Sequence, residues 1–124
     1  MMSNESVLVA PMPTEVWPAM PLDSSAIRGG NPIAQGMILT QSGDRKVSSG
    51  FWACSPGSFD WEYTWDEFVH VLEGEVSIQD QHGRTYHLGV GDTAHFPRGM
   101  KTTWEVKRAV RKFFVIRTPE PLNL

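Results

Sequence analysis

Cysteine is nearly missing from this chain. Cys54 is the only one among 124 residues, so no internal disulfide can form, and a cysteine-rich zinc site is excluded as well. A basic surplus is missing too. The formal charge is −3 at pH 7, the wrong sign for a partner built of phosphates. No apolar run approaches the ~18 residues that a membrane-spanning helix needs. The stretch from Met1 to Val9 holds Glu5 but no Lys or Arg, unlike the basic flank of a secretory signal. The expectation is a soluble, cytoplasmic protein that engages neither nucleic acid nor membrane. Hydrophobic residues make up 40% of the chain, enough for one domain with a substantial core.

Proline is scarce in most of the sequence and crowded at one end. Five of the nine prolines (Pro11, Pro13, Pro18, Pro21, Pro32) fall in residues 1–35, beside the pair Gly29-Gly30. That density forbids a continuous helix or a central strand. Residues 1–35 therefore read as an extended arm that lies over the domain or a partner copy, with Val16 and Trp17 as its anchors. Asp23-Ser24-Ser25 offers an N-cap for a short helical turn around Ser24 to Ile27.

Long helical periodicity is absent as well. From residue 36 to 124, short β-rich runs alternate with turns that each contain a glycine, the all-β signature. The runs are 37–40, 46–54, 61–64, 67–72, 75–79, 84–88, 93–96, 102–107 and 110–117. Asp80-Gln81-His82-Gly83 fits a hairpin loop with glycine in the left-handed position. Eight or nine short antiparallel strands predict a sandwich or a jelly-roll barrel.

The charges that are present fall in two blocks. Six acids and no Lys or Arg lie between Asp60 and Glu75; seven bases and only Glu105 lie between Arg98 and Arg117. Complementary neighbouring strands are one explanation, and a basic rim that draws in an anionic ligand is another.

Two motifs narrow the fold. Pro56-Gly57 opens a segment that ends with Glu67, six residues and Gly74, and Gly91-Asp-Thr-Ala-His-Phe-Pro97-Arg-Gly99 follows. In this order and spacing they resemble the cupin superfamily, which implies a jelly-roll barrel. Phe51-Trp-Ala-Cys-Ser-Pro-Gly57, Trp65-Asp-Glu-Phe-Val-His-Val-Leu-Glu-Gly-Glu-Val76, Thr103-Trp-Glu-Val106 and Val110-Arg-Lys-Phe-Phe-Val-Ile116 are similar to the small cupins grouped with the (S)-ureidoglycine aminohydrolase cupin domain, the DUF861 type. The likeness covers about residues 35 to 117, and many such proteins are single domains without an assigned reaction.

The resemblance also marks where a metal would be held. The His-x-His pair of metal-binding cupins falls on Trp61 and Tyr63, the glutamate on Glu67 and the last histidine on Thr102. One carboxylate is left from four positions. A tight divalent site wants three or four N, O or S donors; indole N–H is no ligand, and a phenol ionises only near pH ~10. The expectation is a barrel with no bound metal and no cofactor. His70 is a possible rescue ligand, but alternation along its strand turns it away from Glu67. His82, His87 and His95 read as surface or structural residues, and Cys54 as a buried thiol.

The same positions create an aromatic pocket. Trp61, Tyr63 and Trp104 are expected to surround Glu67, with Thr102 inward beside them. Burial would push the Glu67 carboxyl up unless a cation such as Arg111 pairs with it. The expected function is recognition of a small polar or anionic metabolite without a tightly bound metal. Any catalysis would be acid–base chemistry at Glu67 with Tyr63 as hydrogen-bond donor, and Trp61, Thr102, Trp104, His70 and Arg111 are the expected ligand contacts. Two alternatives stand beside it. One is a metal-dependent C–N hydrolase with a rearranged ligand set that includes Glu67 and His70; the other is a non-catalytic sensor or structural protein whose barrel is simply filled. A homodimer is expected in each case.

Overall fold

The computed structural model describes residues 6–13 and 15–124. Met1 to Glu5, part of the segment without a basic flank, lie outside the described residues. Eight antiparallel strands follow a single 3₁₀ turn at Ser24–Ala26: β1 (Ile27–Gly30), β2 (Ala34–Gln41), β3 (Val47–Cys54), β4 (Gly57–Glu62), β5 (Asp66–Asp80), β6 (Thr85–Gly89), β7 (Thr93–Phe96) and β8 (Lys101–Arg117). Asp23 caps the turn as the sequence suggests, its Oδ1 accepting from the Ser25 backbone N–H at 3.0 Å. No helix among the described residues is long and apolar enough to cross a membrane.

β5 and β8 organise the barrel. They pair with each other from end to end, and every other strand except β1 and β2 pairs directly with one of them. The first half of β5 lies between β7 and the second half of β8, which continues to β3 and β2. The second half of β5 lies between β6 and the first half of β8, which continues to β4 and β1. This is the all-β jelly roll that the turn spacing predicts.

Glu73-Gly74 is not the turn between separate strands that the sequence suggested. The chain passes straight through as one bent strand, with register shifts between Val71 and Val76. Gly74 sits at φ 89°, and a Cβ there would lie 2.2 Å from the carbonyl oxygen of Ala109. Glycine is needed because the two long strands cross the corner nearly in contact.

The arm carries its own order. Trp17 is buried at 3% exposure; its ring stacks on Phe51 at 5.5 Å, and the Arg111 guanidinium lies 4.0 Å above it. Val16, expected as the second anchor, is 77% exposed and anchors nothing. The backbone around Ala19 bridges to Gln35, and Met20 N–H donates to the Ala34 carbonyl. Ile27–Gly30 goes further and adds a strand alongside β4.

The opposed charge blocks meet in three ion pairs between β5 and β8. Glu67 meets Lys112 at 2.7 Å, Glu73 meets Arg111 at 3.2 Å and Glu75 meets Arg108 at 3.8 Å. Three of the seven bases, Arg108, Arg111 and Lys112, are thus engaged by acids of the facing strand.

Candidate functional site

Alternation decides which side chains enter the barrel. On β5, Glu67, Val69 and Val71 are buried while Phe68 and His70 are exposed; on β8, Trp104, Val106, Val110, Lys112, Phe114 and Ile116 are buried. Two charged groups thus project among apolar rows, Glu67 at 5% exposure and Lys112 at 6%. Burial of both is tolerable only because each satisfies the other.

The Lys112 ammonium donates to Glu67 Oε2 at 2.7 Å, and the Trp65 indole N–H donates to Glu67 Oε1 at 3.0 Å. The ammonium also stands 4.7 Å from the ring centroid of Trp52 and 5.0 Å from that of Trp104, within reach of both π faces. A carboxylate, a tethered cation and three indoles make one constellation.

This constellation lines a cavity of about 260 Å³. Trp52, Trp61, Trp65, Trp104, Tyr63 and Phe59 supply aromatic walls; Ile38, Phe114 and Ile116 supply aliphatic and aromatic surface below them. Met20 from the arm and Leu122 and Leu124 from the C-terminal segment complete the rim. That segment is tied down by the Leu122 N–H donating to the Arg45 carbonyl at 2.8 Å and by Gln41 Nε2 donating to the Leu122 carbonyl at 3.0 Å.

Tyr63 is almost wholly buried, stacked on Phe96 at 4.7 Å with the rings 2° from parallel. Burial first, and the negative charge of Glu67 second, hold its phenol well above the usual value. The group is a neutral donor across any physiological pH. The Trp104 Nε1 is buried without a partner in hydrogen-bond geometry, yet lies near enough to the phenol to oppose that push, as the smallest of the three influences. Cys54 is buried nearby, and burial pushes its thiol up to about 11 against the opposing pull of Lys112. It is an inert thiol, as expected.

Trp61, Tyr63 and Trp104 line the same cavity as Glu67. Three expected contacts do not. Thr102 is buried, but its hydroxyl donates to the Trp61 carbonyl at 2.8 Å and it borders a separate polar groove with Asp60, Asp80 and Lys101. Arg111 points to the opposite face of β8, toward Glu73, Trp17 and the Glu15 carbonyl; the cation that pairs with Glu67 is the next residue. His70 is exposed on the outside of the barrel, beside arm residues Leu8 to Pro13. It cannot join Glu67 in a rearranged ligand set, because period-two geometry places them on opposite faces.

Lys112, Trp52 and Trp65 were not among the expected site residues. Lys112 had a legible signal, since it is the one charged residue in the row Val110, Lys112, Phe114, Ile116. Trp65 had none, because it lies in a loop where alternation gives no direction.

The residues present do not fit a standard cupin metal. Among the described residues no group of three or more His, Cys, Asp or Glu side chains converges. Both oxygens of the one carboxylate at a ligand position already accept from Trp65 and Lys112. The Lys112 ammonium is the cation that neutralises that carboxylate.

The model of the EutQ-like cupin domain matches residues 41–114. A DUF861 family protein of known structure from Thermotoga maritima is 34% identical over 52% of this chain and 73% of its own, with a TM-score of 0.51. The EutQ protein of Clostridium difficile shares the fold at a TM-score of 0.64, with 21% identity over 80% of this chain and 81% of that one. The curated acetate kinase EutQ of Salmonella typhimurium is 26% identical over 101 residues, covering 76% of this chain. The chain spans 44% of that relative's length. With more than half of its residues matched and the jelly roll in place, the chain belongs to the EutQ-like cupin domain family of the DUF861 type.

Proposed function

We propose that this cupin binds a small organic molecule with a largely apolar, planar body and one polar head, the head seated on the Glu67–Lys112 pair. One observation carries the reading: a single ion pair, Glu67 with Lys112, lies in a cavity otherwise lined by seven aromatic and five aliphatic side chains. Small-molecule sites combine apolar walls with a few fixed polar groups in this way. At about 260 Å³ the cavity lies just under the ~300–1,000 Å³ usual for such sites, so the molecule is small. Of the polar and anionic ligands expected, the polar ones suit the site better. Lys112 is already neutralised by Glu67, so an added negative charge would have to displace a bonded carboxylate. A neutral head that accepts from the ammonium and donates to the carboxylate suits the pair better.

Titration by tryptophan fluorescence tests this, because four of the five tryptophans line the cavity. Benzamide and benzyl alcohol are expected to give saturable changes, and toluene to bind at least tenfold more weakly. Lys112→Met is expected to remove the distinction between them. Flat titrations with all three compounds would mean that the aromatic walls serve only as core.

A further inference from the structure

The Glu67–Lys112 pair has a chemical capacity that binding alone does not use. We infer that Lys112 is a carbonyl-reactive amine, condensing reversibly with a small aldehyde or ketone in the cavity to form an imine, with Glu67 as the proton carrier. The inference rests on the cavity being a ligand site and adds the chemistry of its floor.

Four observations converge on it. Lys112 lines the cavity, whereas the other three lysines, Lys46, Lys101 and Lys107, are exposed. Its ammonium is bonded to one carboxylate only 2.7 Å away. That contact places the carboxylate where it can take a proton directly from the nitrogen and hand it to a carbonyl oxygen bound beside it. The walls around the amine are mainly aromatic and aliphatic side chains, an apolar setting for a condensation that must release water. Finally, a well-packed apolar pair would hold this barrel together at least as well as a buried ion pair, so stability alone gives no reason for the lysine. Desolvated lysines are the amines that form such adducts.

The step balances. Glu67 accepts a proton from the ammonium, the freed Nζ attacks the carbonyl carbon, and the carbonyl oxygen takes the proton from Glu67 to give a carbinolamine. Glu67 then takes a second proton from nitrogen and passes it to the hydroxyl, which leaves as water as the C=N bond forms. One ammonium and one carbonyl compound become one protonated imine and one water. The product keeps the positive charge, so the contact with Glu67 and the faces of Trp52 and Trp104 is preserved.

The experiment uses the full chain with benzaldehyde and cyanoborohydride at neutral pH, with modification of each lysine followed by peptide mass spectrometry. Lys112 is expected to be trapped at least tenfold faster than Lys46, Lys101 or Lys107, despite its burial. Benzyl alcohol, which fits the cavity but cannot condense, is expected to protect it. Glu67→Gln is expected to slow trapping at Lys112 at least tenfold while leaving the three exposed lysines unchanged. The comparison among lysines within the unaltered protein stands even if that variant misfolds. Saturable binding of benzyl alcohol with Lys112 trapped no faster than the exposed lysines would overturn the amine chemistry and leave the binding site intact. No binding and no preferential trapping would overturn both.

Discussion

Glu67 and Lys112 are bonded although they are not ladder partners. In the β5–β8 register Glu67 lies opposite Ile116, four residues beyond Lys112, which itself lies opposite Val71. The two side chains therefore reach toward one another along the strands, and their contact spans the cavity floor. Neither ordinary strand pairing nor the turn geometry requires this contact; only the shared enclosure does.

Removing one partner should be far worse than removing both. Glu67→Gln and Lys112→Met each leave a buried charge uncompensated, at a cost of about 3–5 kcal/mol. The double variant is expected to recover most of that loss, because two neutral groups replace two ions. Urea denaturation of the four proteins measures the coupling. Additive losses would show that the two groups do not interact.

Alkaline pH should loosen the fold. Cys54 and Tyr63 hold their protons more tightly folded than unfolded, so their contribution is full below the pH at which the unfolded groups ionise, near 9 for the thiol and 10 for the phenol. It is lost as pH rises, and the thiol's share is gone by about 11. That share amounts to about 2–3 kcal/mol. The fall in stability between pH 9 and 11 is expected to be shallower by that amount in Cys54→Ala, as read from denaturation midpoints at each pH. An unchanged slope would remove Cys54 from the effect.

Two glycines with similar backbone angles should respond differently to alanine. Gly74 at φ 89° would drive its Cβ into Ala109, whereas Gly83 at φ 81° has open space around it. Gly83→Ala should cost only the left-handed penalty of about 1–2 kcal/mol. Gly74→Ala adds a backbone clash and is expected to abolish folding or lower the midpoint much further. Thermal denaturation of the soluble fractions compares them, and equal losses would contradict the close crossing of β5 and β8.

The arm should depend on Trp17. Trp17→Ala removes a buried ring held between Phe51 and Arg111, a loss of about 3–5 kcal/mol for a core aromatic. Limited proteolysis is expected to cut the variant before Ile27 at least tenfold faster than the parent protein. Val16→Ala, at an exposed position, should leave the cutting rate unchanged.

Added manganese, nickel or zinc should not raise the unfolding temperature, since a ligand of the folded state stabilises it in proportion to its binding. Glu67, already paired with an ammonium, is a single carboxylate with no second or third donor converging on it among the described residues. A saturable rise that disappears in Glu67→Gln would contradict the donor set described for the cavity.

How far the site was legible depended on strand parity. The inward residues of β8, from Thr102 and Trp104 through Val110 and Lys112 to Ile116, are all even-numbered. Extending the phase of Trp104 by eight residues reaches Lys112, while a one-residue error reaches Arg111 on the outer face. β5 offers no such continuity. Its buried row is odd-numbered through Val71 and is joined by even-numbered Val76, Ile78 and Asp80 after the bend, because bulges insert residues that the pattern cannot count.

The sequence alone determined the all-β class, the cupin likeness, the aromatic lining at Trp61, Tyr63 and Trp104, and the loss of metal ligands, for these follow from residue type, glycine spacing and period-two alternation. The partner of Glu67, the place of Trp65 and the separation of Thr102 from the cavity were decided only by the tertiary structure. Such contacts depend on how two bent strands bring distant segments around one enclosed volume, and no local pattern encodes that distance.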